Sequence, residues 1–331
     1  MNQFLKKRSV LAIVSLFIGS LVATSVAQAA GKIRLSSRST NWDMVLIESG
    51  AAKKYGIEIE LVRVKTGVEV SEALIGGSVD VGSNGDTPVT SLLTRTNDVI
   101  VIGTAVSTDG GYAKVIVKKD SAIKTLADLK GKKIATKIGS GSYRALSDYC
   151  TWKGTCSLKD FKILNTAPSA ILAALEAGSV DAGIWFPPTT SIAIFKGFGR
   201  VMMDFKGANI GQAMWLANKN FAEKNSDLVV RFLAATIEAQ NILLKNHKRA
   251  AELLAKGFKK RGRNLPADVL MIDIDSFDYT PGVGDQNLKV LNSVFASMSK
   301  AGKLKGKKPD FNAMVNRSFM AKAMKLYQSK N

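Results

Sequence analysis

Ala73-Leu74-Ile75-Gly76-Gly77-Ser78-Val79-Asp80-Val81-Gly82 returns, nearly unchanged, as Ala174-Leu175-Glu176-Ala177-Gly178-Ser179-Val180-Asp181-Ala182-Gly183. Each copy lies between an apolar helix-like stretch and a loop rich in Gly, Pro, Asn and Thr. A repeat of 20 to 50 residues would signal a solenoid, whereas about a hundred residues is one α/β lobe's worth of chain. Two facing α/β lobes enclose a cleft, and a cleft between lobes is where a small ligand sits.

On either side of the first copy, strand-like and helix-like segments alternate. Ile33 to Ser36 reads as a strand, Trp42 to Lys54 as a helix, Ile57 to Val64 as a strand and Val68 to Ile75 as a helix. A short strand at Val79 to Val81, a helix at Thr87 to Thr94 and the apolar run Val99 to Ala105 follow. A second series starts with a strand at Tyr112 to Val117 and runs through helices at Ser142 to Trp152, Ser169 to Glu176 and Thr189 to Lys196. The βαβα order predicts parallel sheets covered by helices. Asp109-Gly110-Gly111 and Gly207 to Gly211 read as crossings between lobes. After a strand at Ala213 to Ala217 the chain turns helical, and those helices are expected on the first lobe. The resulting division is 31–106 and 212–331 in one lobe and 107–211 in the other.

Residues 1–30 read as a signal peptide. Lys6, Lys7 and Arg8 precede an apolar run from Val10 to Val22, and Ala27-Gln28-Ala29-Ala30 offers a cleavage site near Ala29/Ala30. The run is shorter than the ~20 residues that span a bilayer, so a soluble exported protein is expected rather than an anchored one. The formal charge of +20 comes without a recognition helix, zinc finger or RNA-binding signature, so no nucleic acid is expected; it suits a basic surface that attracts an anionic solute. Cys150 and Cys156 are the only cysteines, and in an oxidising compartment they read first as a disulfide. With His247 the sole histidine, neither a metal site nor a Ser-His-Asp set is expected, and no cofactor is implied.

In an open parallel sheet, ligands bind beyond the carboxyl ends of the strands, where helix N-termini present free N–H groups. The loops in that position carry the candidates. Ser36 to Trp42 supplies Ser39, Asn41 and Trp42. Asn84, Gly85, Asp86 and Thr87 follow the first copy of the repeat, with Pro88 suited to a first helical turn. Asp86 fits two readings, a helix cap or the partner of a ligand ammonium. Gly139, Ser140, Ser142 and Arg144 run from a glycine turn into a helix, without the GK[ST] ending of a nucleotide loop. Trp185 follows the second copy, and Gln212 with Trp215 lies at the return crossing; the tryptophans are expected to flank an organic body.

With these residues in view, the chain resembles periplasmic solute-binding proteins of ABC importers, in the family of aliphatic sulfonate, taurine and nitrate binders related to thiamine-pyrimidine synthase domains. The resemblance rests on Ala73 to Gly82 followed by Pro88, Leu126 to Ala135, Gly139-Ser140, Ala174 to Gly183 followed by Trp185 and Pro187, and Asn220 to Lys224. It implies a type II periplasmic-binding fold, two discontinuous α/β lobes with a hinge of two strands. It implies too a monomer that closes on an anionic or zwitterionic solute and delivers it to an inner-membrane permease. An exported enzyme on the same fold and a ligand sensor without transport are the alternatives. The loop Asn84 to Asp86 is more acidic than is usual among sulfonate binders, and Asn209 to Gln212 holds no carboxylate for a taurine ammonium.

Overall fold

The computed structural model describes residues 31–208, 210–304 and 307–331; the leader assigned to 1–30, and Asn209, lie outside them. The chain begins with β1 (Gly31–Ser37), α1 (Asn41–Glu48), α2 (Ala51–Lys54), β2 (Ile57–Arg63), α3 (Gly67–Ile75), β3 (Val81–Gly85), α4 (Asp86–Leu93) and β4 (Val99–Thr108). It crosses into β5 (Lys114–Lys118), β6 (Lys133–Thr136), α5 (Gly141–Lys153), β7 (Lys162–Asn165), α6 (Pro168–Glu176), β8 (Ala182–Trp185), α7 (Thr189–Phe195) and β9 (Gly199–Asp204). It returns through β10 (Gly211–Asn218) into α8 (Lys219–Lys224), α9 (Ser226–Lys245), α10 (His247–Lys259), α11 (Ala267–Ile274), α12 (Asp285–Lys300), α13 (Phe311–Met314) and α14 (Arg317–Lys330).

Two five-stranded sheets result, ordered β2-β1-β3-β10-β4 and β7-β6-β8-β5-β9. The orders match term by term, with β10 and β5 each exchanged into the lobe opposite the segment that precedes it. That exchange overturns the expectation of parallel sheets: β10 runs antiparallel to β3 and β4, and β5 to β8 and β9. A strand entering from the other lobe arrives at the ligand end of the sheet and must run back along it.

The repeat explains itself at the atomic level. Gly77 and Gly178 take left-handed φ values of 67° and 73° where α3 and α6 end, a conformation that favours glycine. Ser78 and Ser179 each return both N–H and hydroxyl to the carbonyl of Ala73 or Ala174. Asp80 and Asp181 then act as an extra rung, their carboxylates accepting the N–H of Arg34 and of Lys133 at 2.8 Å. Gly82 and Gly183 leave room for neighbours: a Cβ on Gly82 would collide with Ser36 Oγ, and one on Gly183 would lie 2.8 Å from Ile171.

The first sheet is covered on both faces. One core joins Leu35 and Trp215 to Phe232 and Leu254 of α9 and α10; the other joins Leu74 and Met214 to Val290 and Val294 of α12. Helices α8, α9, α10, α12, α13 and α14 pack on the first sheet and its helices, while α11 packs on α10 and also on α7 of the second lobe. The expected helix from Trp42 to Lys54 breaks at Gly50, φ 81°. β9 escaped the sequence reading because its residues are mostly half-buried rather than alternating. Cys150 and Cys156 are bonded, tying the last turn of α5 to the chain beyond Gly154.

Candidate functional site

The first turns of α4 and α5 meet where the two lobes touch, and the candidate site is built there from helix N-termini. At the end of β1, Asp43 is a buried carboxylate that organises the loop. It accepts from Ser37 Oγ at 3.1 Å, Ser83 Oγ at 3.0 Å and the Arg38 N–H at 3.3 Å, while Trp42 Nε1 donates to Ser83 Oγ at 2.8 Å. Burial pushes the Asp43 carboxyl above its ordinary range, and the nearby Arg38 charge pulls it back in part. Thr40 caps α1 through the Asp43 N–H, which leaves the Asn41 and Trp42 N–H groups beyond intrahelical reach. Ser39 is held at φ 61°, a left-handed conformation uncommon for a side chain. Asn41 is buried and donates to the Tyr279 hydroxyl at 3.3 Å.

At the end of β3 the candidates divide. Asn84 is fully buried and serves the scaffold, its amide donating to Gly67 O and Ser71 Oγ. Gly85 precedes α4, and Asp86 and Thr87 form its first turn. Gln212 donates its N–H to Asp86 at 3.1 Å, while its side chain bonds Ser107 and Asn287 beneath the site.

In the second lobe, Gly139 turns the chain at φ 84° and Ser140 caps α5 by accepting from the Tyr143 N–H. The Ser140 and Ser142 hydroxyls lie 2.8 Å apart, and Ser142 continues to Thr136. A Cβ on Gly141 would lie 2.6 Å from the Tyr112 hydroxyl, so α5 presses its first turn against the crossing segment. Of the two readings of Asp86 the cap falls away, since Gly85 holds the N-cap position of α4 and no side-chain cap bond is made, and Arg144 meets its carboxylate. Its guanidinium crosses between lobes to the Asp86 carboxylate at 2.6 Å and also meets Asp148 at 2.9 Å. Burial alone would lower the Arg144 pKa, but Asp86 leads the charges that hold it above its usual value.

Aromatic rings line the space between these turns. Trp42 meets Phe277 edge-on at 6.3 Å, Phe277 tilts against Tyr112 at 6.0 Å, Tyr112 stacks on Phe186 at 4.9 Å, and Phe186 meets Trp185 at 4.6 Å. The series runs from one lobe to the other and keeps Trp42 and Trp185 together. Trp215 is not part of it: its ring is 1% exposed, faces α9 and packs edge-on against Phe232 at 5.3 Å. The residue lies on a central strand, whose face toward α9 is core. Asp273 of α11 closes the far side, fully buried and hydrogen-bonded to Ser191 of α7. Its second oxygen has no hydrogen-bond partner among the described residues, and burial pushes its carboxyl up to about 6.

Sequence reasoning therefore missed Tyr112, Phe186, Phe277 and Asp273. Only Phe186 carried a signal, since it adjoins Trp185 in the loop after the second repeat. Among the described residues no cluster of His, Cys, Asp and Glu could hold a metal ion, and no helix is long and apolar enough to cross a membrane. Two surface hollows of about 360 and 270 Å³ lie at the opposite ends of the strands, around Lys219 and Arg317 and around Arg34 and Asn218. What the cleft offers is binding chemistry: unpaired helix N–H groups, hydroxyls, guanidinium groups and aromatic walls.

Comparison with known proteins agrees with that chemistry. A family model described as NMT1/THI5 like matches residues 48–250. A protein of Escherichia coli (strain K12), provisionally named as an aliphatic sulfonates-binding protein, is 31% identical over 269 residues, 80% of this chain and 82% of that one. The taurine-binding periplasmic protein of the same strain is 29% identical over 205 residues, 59% of this chain and 60% of its own. The crystal structure of the periplasmic aliphatic sulphonate binding protein SsuA from Escherichia coli is 28% identical, covering 86% of this chain and 92% of its own, with a TM-score of 0.73.

Proposed function

We propose that this chain, which belongs to the NMT1/THI5-like family, is the solute-binding component of an ABC importer and captures a small organic sulfonate, taurine included. The observation that carries this reading is the convergence of α1, α4 and α5 N-termini on a cleft walled by Trp42, Phe277, Tyr112, Phe186 and Trp185. Oriented dipoles in a water-excluded cleft stabilise an oxyanion far better than they do in water. The rings suit the organic part of the ligand.

The moving units in this reading are 31–106 with 212–331 and 107–211, hinged at the two crossings. Solute bridging both lobes shifts an existing open-closed equilibrium toward the closed form, which a membrane permease would recognise. Export to the periplasm, cleavage near Ala29/Ala30 and a monomeric state belong to the same proposal, and the periplasmic relatives support the export. Calorimetry of the mature chain against alkanesulfonates, taurine, nitrate and aromatic acids tests it. Saturable heat with at least one sulfonate is expected. Binding of a neutral or cationic solute, with none of the anions, overturns it.

A further inference from the structure

We propose that Arg38 is the cationic receptor for the anionic group of the solute, an assignment that rests on the sulfonate reading above. Arg38 follows directly on the ligand end of β1, and its guanidinium reaches over the end of β3. There Nη2 donates to the Ser83 carbonyl at 3.4 Å, a contact at the outer limit of hydrogen bonding. Nε is shut away from solvent with no hydrogen-bond partner among the described residues. No carboxylate among the described residues forms an ion pair with it.

Its neighbour across the cleft is the instructive contrast. Arg144 has the same charge but is matched by two carboxylates, Asp86 and Asp148, so its charge is already compensated within the protein. Among the described residues Asp43 is the acid whose field reaches Arg38, and that carboxylate is already engaged by Ser37, Ser83 and the Arg38 N–H. Burial lowers the Arg38 pKa and Asp43 offsets this only in part, so the charged form lacks a full counterion.

A sulfonate supplies what is missing. Its oxygens match the planar donor fork of a guanidinium, whereas a lysine ammonium offers a point charge. The Ser39 hydroxyl and the Asn41 and Trp42 N–H groups lie within the same turn and add neutral donors to the oxygens that Arg38 leaves unbonded. The left-handed Ser39 thus has a geometric role, turning the chain between the charged donor and the helix N-terminus.

The test is the sulfonate Kd of the mature wild type, Arg38→Gln and Arg38→Lys, with circular dichroism and thermal melting to establish folding. Loss of a charged hydrogen-bonding partner should weaken binding roughly 10- to 100-fold in Arg38→Gln. Arg38→Lys, which keeps charge but not the fork, should fall between and also serves if the glutamine variant fails to fold. Wild-type binding with either folded variant within twofold of it overturns the assignment alone. Absence of sulfonate binding by the wild type overturns both the assignment and the functional reading beneath it.

Discussion

Asp86 and Arg144 are the residues on which lobe-to-lobe contact turns. Their side chains are 3% and 6% exposed, so neither charge is relieved by water when its partner is removed. Removing Arg144 leaves Asp86 buried without its cation, and breaking such a pair costs up to about 3–5 kcal/mol; removing Asp86 costs less, because Arg144 keeps Asp148, and deleting both relieves the buried Asp86 charge. A double-mutant cycle on Asp86→Ala, Arg144→Ala and the double variant, measured by urea unfolding, should therefore show the double loss to be smaller than the sum. Strict additivity would mean that the contact contributes nothing as a pair. Sequence alone had Asp86 as a cap or an ammonium partner and Arg144 as a group facing solute. The two lie 58 positions apart on different lobes, and no local pattern announces a partner at that distance. Ser140 is the opposite case: its capping role is legible from Gly139-Ser140-Gly141 ahead of a helix, because capping depends on neighbours in the chain.

Helix α11 shows how an element can be legible while its function is not. The apolar spacing of Ala267 to Asp273 predicts the helix, but nothing in it says that the helix will touch both lobes. Placed there, Asp273 bonds Ser191 of α7, with Lys114 the nearby cation that favours its charged form. Its carboxyl is raised from the ordinary carboxylate range to about 6, first by burial, with Ser191 and Lys114 pulling the other way. The folded chain accordingly holds, between about pH 4 and 6, a proton that the unfolded chain has released. Stability contributed by protonated Asp273 is present on the acid side and is lost as pH rises through about 6, with no further change above. The loss is at most about 3 kcal/mol at 1.36 kcal/mol per unit. Urea unfolding at pH 4.5, 5.5 and 7.0 should show the wild type losing stability relative to Asp273→Asn as pH rises. Asp43, also raised by burial, is common to both chains and cancels in the difference. Curves that stay parallel across the range would show that Asp273 is not held protonated in the contact between α11 and α7.

At the scale of the whole molecule, the repeated decapeptide was the most legible feature because its residues serve the scaffold: a glycine ends the helix, a serine closes the turn, an aspartate rungs two strands. The exchanged strands β5 and β10 were not legible as antiparallel, since strand direction is decided by where the chain enters a sheet. Trp215 misled for the same reason, a residue near a crossing in sequence but inside the core in space. Charge is the global property with a functional consequence. Setting aside Lys6, Lys7 and Arg8, residues 31–331 retain +17 of the formal +20. Part of the surplus gathers at the last turn of α1, where Lys260 at 2.7 Å, Lys256 at 3.6 Å and Arg261 at 4.0 Å surround Glu48, and Arg261 also feels the charges of Arg63 and of Asp43 in the first turn of α1. A positive field of this kind raises the encounter rate of an anion and is screened over about 10 Å at 0.1 M salt. The association rate of an alkanesulfonate, measured by stopped-flow tryptophan fluorescence, should fall at least about threefold between 10 and 200 mM NaCl. The dissociation rate should change little, because contacts inside a closed, water-excluded cleft are screened much less than the approach to it. An association rate independent of salt would show that the basic surface has no part in capture, leaving affinity to the cleft alone.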